Sequence, residues 1–294
     1  LAIVSGTDNR NNALLAITTM NEVQFRRLGE FIYQVCGIRL NDSKKVMLES
    51  RLSKRLKILG MNTYKDYCEY LFSPKGSNEE LVHMIDMVTT NKTDFFREPA
   101  HFDFLRRNAL PELIRTHRVG TGSKLKVWSA GCSTGEEPYT LSMVLSDYAE
   151  IHRGFEYLIL ATDISSRVLE VAKAGIYREE QVVPVPPVFR ERYLLRGKAR
   201  QMGKVRIVPE LRERIRFRRL NFMEGDFGMR EPLDIVFCRN VIIYFDRPTQ
   251  ERLINRINSH MIPGGYLFMG HSETLNGMKV PLVSVAPTVY RKEL

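Results

Sequence analysis

The stretch KVWSAGCSTGEEPYTLSM, residues 126–143, decides how this chain is read. An apolar run, KVWSA, has the composition of a strand. A turn with two glycines, Gly131 and Gly135, follows it. EEPYTLSMVLSDYAEI then reads as a helix, with Pro138 tolerated in the first turn. Strand, glycine turn and helix in that order commonly hold a nucleotide's phosphates. The details exclude that use. A GxxxxGKS/T loop fails because three residues separate Gly131 from Gly135 and Glu136 stands where lysine belongs. A GxGxxG fingerprint fails because Cys132-Ser133 occupies its middle. What remains is a turn that lets backbone approach a ligand closely, flanked by an acid able to bind hydroxyls or a positive centre. Glu136 is expected to face that ligand. Glu137, one residue deeper, is expected only to complement the positive end of the helix.

Outward from this stretch the same rhythm repeats. EYLILATD is a strand and SSRVLEVAKAG a helix; PLDIVFCRN is a strand, PTQERLINRINSHM a helix and GGYLFMGH a strand. The strands are near-continuous apolar runs, as in a parallel sheet covered on both faces. The fold class is α/β, a doubly wound, mainly parallel sheet. Asp163 closes the second strand, where an acid commonly holds a ribose hydroxyl pair. A ribose acid without a phosphate donor points to a nucleoside that lacks phosphates and carries positive charge. S-adenosylmethionine has both properties, so a sheet of the S-adenosylmethionine-dependent methyltransferase type is the expectation.

Residues 20–92 are expected to form an N-terminal all-helical domain. Leu28, Phe31, Ile32 and Val35 share one helix face; Leu48, Leu52, Leu56 and Leu59 share another, which Gly60 terminates. Thr63 and Ser77 are candidate N-caps, Ser77 with Glu80 in capping-box spacing. Residues 93–123 read as linker and connecting helix, and 124–294 as the catalytic domain. Within the latter, VVPVPP, a basic stretch and the alternating RIRFRRL mark a small antiparallel β insertion at 178–220. Residues 1–19 lack a basic n-region and a long apolar run, so they read as a tag remnant or disordered segment and not as a signal peptide.

The bulk numbers bound the function. With 44 Lys and Arg against 34 Asp and Glu, the formal net charge of +10 predicts acidic partners. No apolar run is long enough to span a membrane, so direct membrane insertion is not expected. The four cysteines, Cys36, Cys68, Cys132 and Cys238, form no CxxC pair, which argues against a zinc site and a disulfide scaffold and fits a reducing cytoplasm. No metal is expected.

Two further segments carry polar groups to places where ligands sit. TTNKTDFFRE, residues 89–98, joins the helical domain to the sheet, and FCRNVIIYF, residues 237–245, ends a strand. With TTNKTDFFRE, AGCSTGEEPYTLSM, ATDIS, LNFME, FCRNVIIYFD and GYLFMGHSE in this order, the chain resembles the CheR-type chemotaxis methyltransferases from about residue 20 to 291. The resemblance implies methyl transfer from S-adenosylmethionine to glutamate side chains of chemoreceptors, with S-adenosylhomocysteine as product. It implies a cofactor site of Asn91, Thr93 and Arg97 from the joining segment, Glu136 and Asp163 on polar groups that include the ribose, Asn221 and Phe222 flanking the adenine, and Arg239 and Asn240 completing the site. Arg97 and Tyr244 would act at the reaction centre. Glutamate is ionised at neutral pH, so no general base is required. His271 and Ser272 are adjacent and define no triad; a structural loop is the favoured reading there.

The resemblance also gives the basic helix a use. Lys44, Lys45, Arg51, Lys54, Arg55 and Lys57 would dock on acidic helices of the receptor cytoplasmic domain. Members that tether a receptor's C-terminal tail by strand addition tend to carry GxG in the insertion. Here that place reads Gly197-Lys198-Ala199, which counts against tail tethering while leaving the insertion able to touch receptor. A monomer is expected. Two rivals stand against this reading. A nucleic-acid methyltransferase would suit the charge, but an amine methylase would carry D/N-P-P-Y/F where CRNVIIYF stands, and Cys238 lies within a strand, so no nucleic-acid partner is expected. A non-catalytic cofactor sensor could lose Arg97 or Tyr244, and both are present.

Overall fold

The computed structural model describes residues 17–293. The segment read as tag or disorder therefore lies outside the described residues apart from its last three, of which Thr18 donates its N–H to the Asn62 carbonyl at 3.0 Å. The chain divides into two compact units. One comprises the residues through Glu30 with Leu40–Val88, the other Phe31–Arg39 with Thr89 onward.

The first unit is helical. It takes the beginning of α1 (Glu22–Cys36) and all of α2 (Lys45–Leu59), α3 (Tyr64–Leu71), α4 (Pro74–Glu79) and α5 (Leu81–Val88). Leucines 48, 52 and 56 recur at helical spacing on α2 and are fully buried. Gly60 ends that helix in the left-handed conformation, φ 68°. Thr63 caps α3 by accepting from the Asp66 N–H. Ser77 is no cap: Ser73, ahead of Pro74, starts α4 by accepting from the Gly76 N–H, and Ser77 lies inside that helix. Glu80 is buried instead in a forked ion pair with Arg55, 2.6–2.9 Å, and also accepts from the Tyr67 hydroxyl at 3.1 Å.

The second unit is built on a seven-stranded sheet. A helical run leads in, α6 (Ala100–Phe104) continuing through a π turn (Leu105–Ala109) into α7 (Leu110–His117). Then come β1 (Leu125–Ala130), α8 (Glu136–Ile151), β2 (Tyr157–Asp163) and α9 (Ser166–Ala174). The insertion holds β3 (Ile176–Arg178), α10 (Pro187–Tyr193), β4 (Leu194–Arg196) and β5 (Lys204–Ile207), followed by the short α11 (Pro209–Arg212). The chain closes with β6 (Ile215–Arg219), β7 (Leu233–Cys238), α12 (Arg247–Ser259), β8 (Met261–Met269), β9 (Leu282–Ala286) and β10 (Val289–Lys292).

The main sheet runs β6-β2-β1-β7-β8-β10-β9. The first five strands are mutually parallel, and β10 pairs antiparallel with both β8 and β9. The insertion is a separate antiparallel sheet, β3-β5-β4. RIRFRRL does not belong to it. Residues 215–219 pair with β2, Ile215 opposite Ile159 through Arg219 opposite Asp163, and form an edge of the main sheet. Arginines alternate there because an edge strand leaves half of its side chains to solvent.

Alternation along each central strand feeds two cores. Val127, Ile235, Phe237, Tyr266 and Phe268 point to one face with residues of α7 and α8. Trp128, Ala130, Val236, Cys238, Leu267 and Met269 point to the other with Leu253, Ile254 and Ile257 of α12. Because β2 lies on one side of β1 and β7 on the other, winding reverses at β1, and the crevice at the carboxyl ends of these strands is the expected ligand position.

Candidate active site

The turn after β1 is shaped by its glycines. Gly131 has φ 84°, and a Cβ there would lie 2.4 Å from Val241 Cγ2. Gly135, φ 100°, opens α8 at a point where a Cβ would meet Tyr177 and Ala172 within 3 Å. Between them Ser133 adopts φ 49°, a conformation uncommon outside glycine. Its position is fixed by Asp163, whose Oδ2 accepts the Ser133 N–H at 2.8 Å while Oδ1 accepts that of Ser165 at 2.9 Å. The acid at the end of β2 thus joins the two strand ends. Ser133 Oγ donates to the Asn91 carbonyl at 2.9 Å, bringing the joining segment onto the same turn.

Glu136 is buried, and burial raises its carboxyl above the ordinary range. Thr134 donates to its Oε2 at 2.6 Å. Glu137 departs from the helix-end reading. Its Oε1 accepts from Ser129 Oγ and its Oε2 from Arg239 Nε, both at 2.7 Å, so it is one half of a buried ion pair. Asn91, Thr93 and Arg97 are half-buried; Arg97 Nη1 reaches the Lys92 carbonyl at 3.2 Å.

Farther along the crevice, Asn221 uses both ends of its amide on main chain, Nδ2 to the Val35 carbonyl at 2.7 Å and Oδ1 from the Met223 N–H at 3.0 Å. Phe222 stands edge-on to Trp128, ring centres 6.1 Å apart. Asn240 takes φ 59° just past β7, and Tyr244 ends a short 3₁₀ turn, half-buried. Glu273, which no sequence motif singles out, organises this loop. Its carboxylate accepts from the N–H groups of Gly270, Asn240, Val241 and Ile242 at 2.8–2.9 Å. A buried acid closely following a strand is the signal that could have found it.

His271 makes no triad. Its N–H donates to Glu98 Oε1 at 3.1 Å, and its ring stands edge-on to that of His101. Glu98, His101 and His271 bring ligand atoms within 4.8 Å of one another. The Arg239 guanidinium already sits among them, 3.4 Å from Glu98 and 3.2 Å from His101 Nδ1.

The donor set fits the expected nucleoside. Two carboxylates share one turn at adjacent strand ends, no lysine or arginine lies in that turn, and an aromatic ring stands further along. Acids suit ribose hydroxyls and a cationic centre, and they repel phosphate.

The receptor-facing candidates belong to the first unit and are not alike. Lys44, Lys54 and Lys57 are exposed, beside Val46 and Ile58 at 76% and 69% exposure. Lys45 pairs with Glu22, Arg51 donates to the Val88 carbonyl, and Arg55 is held by Glu80.

Comparison with known proteins agrees with this architecture. Residues 91–290 match the family model for the CheR methyltransferase SAM binding domain, and residues 24–89 that for the CheR all-alpha domain. A chemotaxis protein methyltransferase of Borreliella burgdorferi is 40% identical over 97% of this chain and 99% of its own. That of Klebsiella aerogenes is 41% identical over 92% of this chain and 90% of its own. Chemotaxis protein methyltransferase 2 of Pseudomonas aeruginosa is 39% identical over 90% and 91%.

Proposed function

The chain belongs to the CheR methyltransferase family, and we propose that it converts chemoreceptor glutamates to methyl esters for sensory adaptation, using S-adenosylmethionine. Methylation of chemoreceptors with this cofactor follows from family membership. The glutamate oxygen as acceptor, the cytoplasm as compartment and the individual residue roles are our reading. The observation that carries it is a pair of acids at adjacent strand ends, Glu136 beside the turn after β1 and Asp163 at the end of β2 holding that turn's Ser133 N–H, with no lysine or arginine in the turn.

When bound, S-adenosylmethionine supplies an electrophilic methyl group. Glu136, Asp163, Asn91 and Thr93 would bind its polar groups, with Asn221, Phe222 and Asn240 lining the rest of the site and Arg239 buried behind it. The receptor carboxylate arrives ionised, because an ordinary glutamate titrates near 4.3. The protein therefore needs no base. Arg97 and Tyr244 hold the carboxylate in line, and the surrounding apolar residues exclude water. Orientation of this kind supplies up to about 7–11 kcal/mol of a barrier. Exclusion of water steepens the neutralisation of opposite charges.

Lys44, just ahead of α2, and Lys54 and Lys57 on it are the exposed part of the basic segment, able to meet an acidic receptor surface. Lys45, Arg51 and Arg55 add to its field from their internal contacts. All four cysteines are buried and free, in keeping with a reducing compartment. No described helix is long and apolar enough to cross a membrane.

Arg97→Ala tests the site. We expect transfer to fall about 100-fold or more with the melting temperature unchanged. Near-wild-type turnover would remove Arg97 from the reaction centre.

A further inference from the structure

We propose that the buried Glu137–Arg239 pair is a positioning device that fixes the main chain of Arg97, so that Arg239 acts on transfer through Arg97 and not by touching the methyl donor. The proposal rests on the reading of Arg97 as the group that meets the reacting carboxylate.

Arg239 leaves the end of β7 with 6% of its surface exposed. Its Nε donates to Glu137 Oε2 at 2.7 Å, and its Nη1 donates to the Arg97 carbonyl, also at 2.7 Å. Nη1 further lies 3.4 Å from Glu98 Oε2 and 3.2 Å from His101 Nδ1. The guanidinium stands over the Phe102 and Phe237 rings, 5.4 and 5.6 Å from their centres. Glu137 is itself fixed from below by Ser129 on β1. A rigid path therefore runs from β1 through Glu137 and Arg239 to the Arg97 peptide.

That peptide needs holding. Phe96 and Glu98, on either side of Arg97, adopt φ 54° and 57°, left-handed backbone that side chains disfavour. Such a kink persists only where its surroundings impose it. The Phe96 N–H is tied to Thr140 Oγ1 at 3.1 Å, and the Glu98 carboxylate is tied to the His271 N–H. The Arg97 carbonyl, in the middle, is tied to Arg239. His101 completes the pocket in its neutral form, Nε2–H toward Thr288 Oγ1 and Nδ1 accepting from Arg239; burial and the adjacent guanidinium push its pKa down to about 4. Lysine cannot replace arginine here. A point charge can neutralise Glu137, but it lacks the fork that reaches a carboxylate and a carbonyl together.

The test uses the full chain with Arg239→Lys, Arg97→Ala and the double variant. Hydrogen exchange at the Phe96 and His271 amides, affinity for S-adenosylhomocysteine and turnover on receptor fragments are measured for each. In Arg239→Lys we expect exchange at those two amides to rise about tenfold or more while β1 and α8 stay protected. Turnover should fall about 100-fold with product affinity within about threefold of wild type. The double variant should be no slower than Arg97→Ala alone, because both changes remove one device. Loss of affinity in step with turnover, additive losses, or unchanged exchange would each overturn the proposal. If Arg239→Lys fails to fold, Glu137→Gln decides by the same readings. It keeps an acceptor for Arg239 and turns its other arm into a donor to Ser129, so intermediate effects are expected and no effect overturns the idea. A wild-type chain that methylates no receptor fragment would count against the substrate, and exchange alone would then decide the positioning role.

Discussion

Glu136 and Glu137 are neighbours in sequence, yet the helix turns their carboxylates to different partners. Glu136 stays beside the turn with Thr134, while Glu137 faces β1 and Arg239. Successive positions on a helix point about 100° apart, which is enough to separate a ligand-facing acid from a framework acid. Glu136→Gln should therefore weaken S-adenosylhomocysteine binding with little change in melting temperature, measured by calorimetry on one preparation. A third acid, Asp234 at the start of β7, supplies a pH signature. Burial pushes its pKa up to about 6, although Oδ2 accepts the Lys126 N–H at 2.7 Å. Its folded-state pKa lies above the unfolded value, so the folded state holds this proton more tightly. The resulting penalty on the fold is absent below about pH 4 and complete above about pH 6. Asp234→Asn keeps an acceptor and removes the charge. Relative to wild type, its melting temperature should be higher at pH 8 than at pH 4; the opposite ordering would contradict this assignment.

At the scale of elements, two predictions separate framework from contact surface. Glu273 closes the loop after β7 by accepting four N–H groups, one of them from the left-handed Asn240. Glu273→Ala leaves these donors without their acceptor and should cost about 3 kcal/mol or more, seen in denaturant unfolding. On α2 the basic residues divide. Reversing Arg55 strands the buried Glu80 and should cost about 3–5 kcal/mol of stability. Reversing Lys44, Lys54 and Lys57 should change stability by less than about 0.5 kcal/mol each while slowing receptor methylation, with cofactor affinity unchanged. The slowing should shrink as salt rises. Unchanged methylation would return this helix to an ordinary solvated face. The sequence shows six basic residues between positions 44 and 57; only the fold shows that Arg55 is committed to an acid 25 positions away.

Over the whole molecule, what was legible follows from period and local chemistry. Apolar runs gave the parallel strands, and leucines at helical spacing gave the helical domain. The departure of the glycine turn from both phosphate motifs gave the nucleoside class. What was illegible depends on residues far apart in the chain. Glu137 meets Arg239 across 102 positions, Asn240 meets Glu273 across 33, and no local pattern announces either. The alternation of residues 215–219 is local and points to the insertion, whereas their pairing with β2 depends on residues far away in the chain. The formal charge of +10 alone would serve a nucleic-acid enzyme as well as a receptor enzyme, so charge does not choose the acceptor. The acceptor atom is the central claim, and ester chemistry exposes it directly. The protein is incubated with methyl-labelled S-adenosylmethionine and a receptor cytoplasmic fragment, and the labelled product is treated with mild base. The account predicts label on the receptor fragment that is released as volatile methanol, and none when the receptor's acceptor glutamates are replaced by glutamine. Base-stable label, or label on RNA with none on receptor, would contradict it.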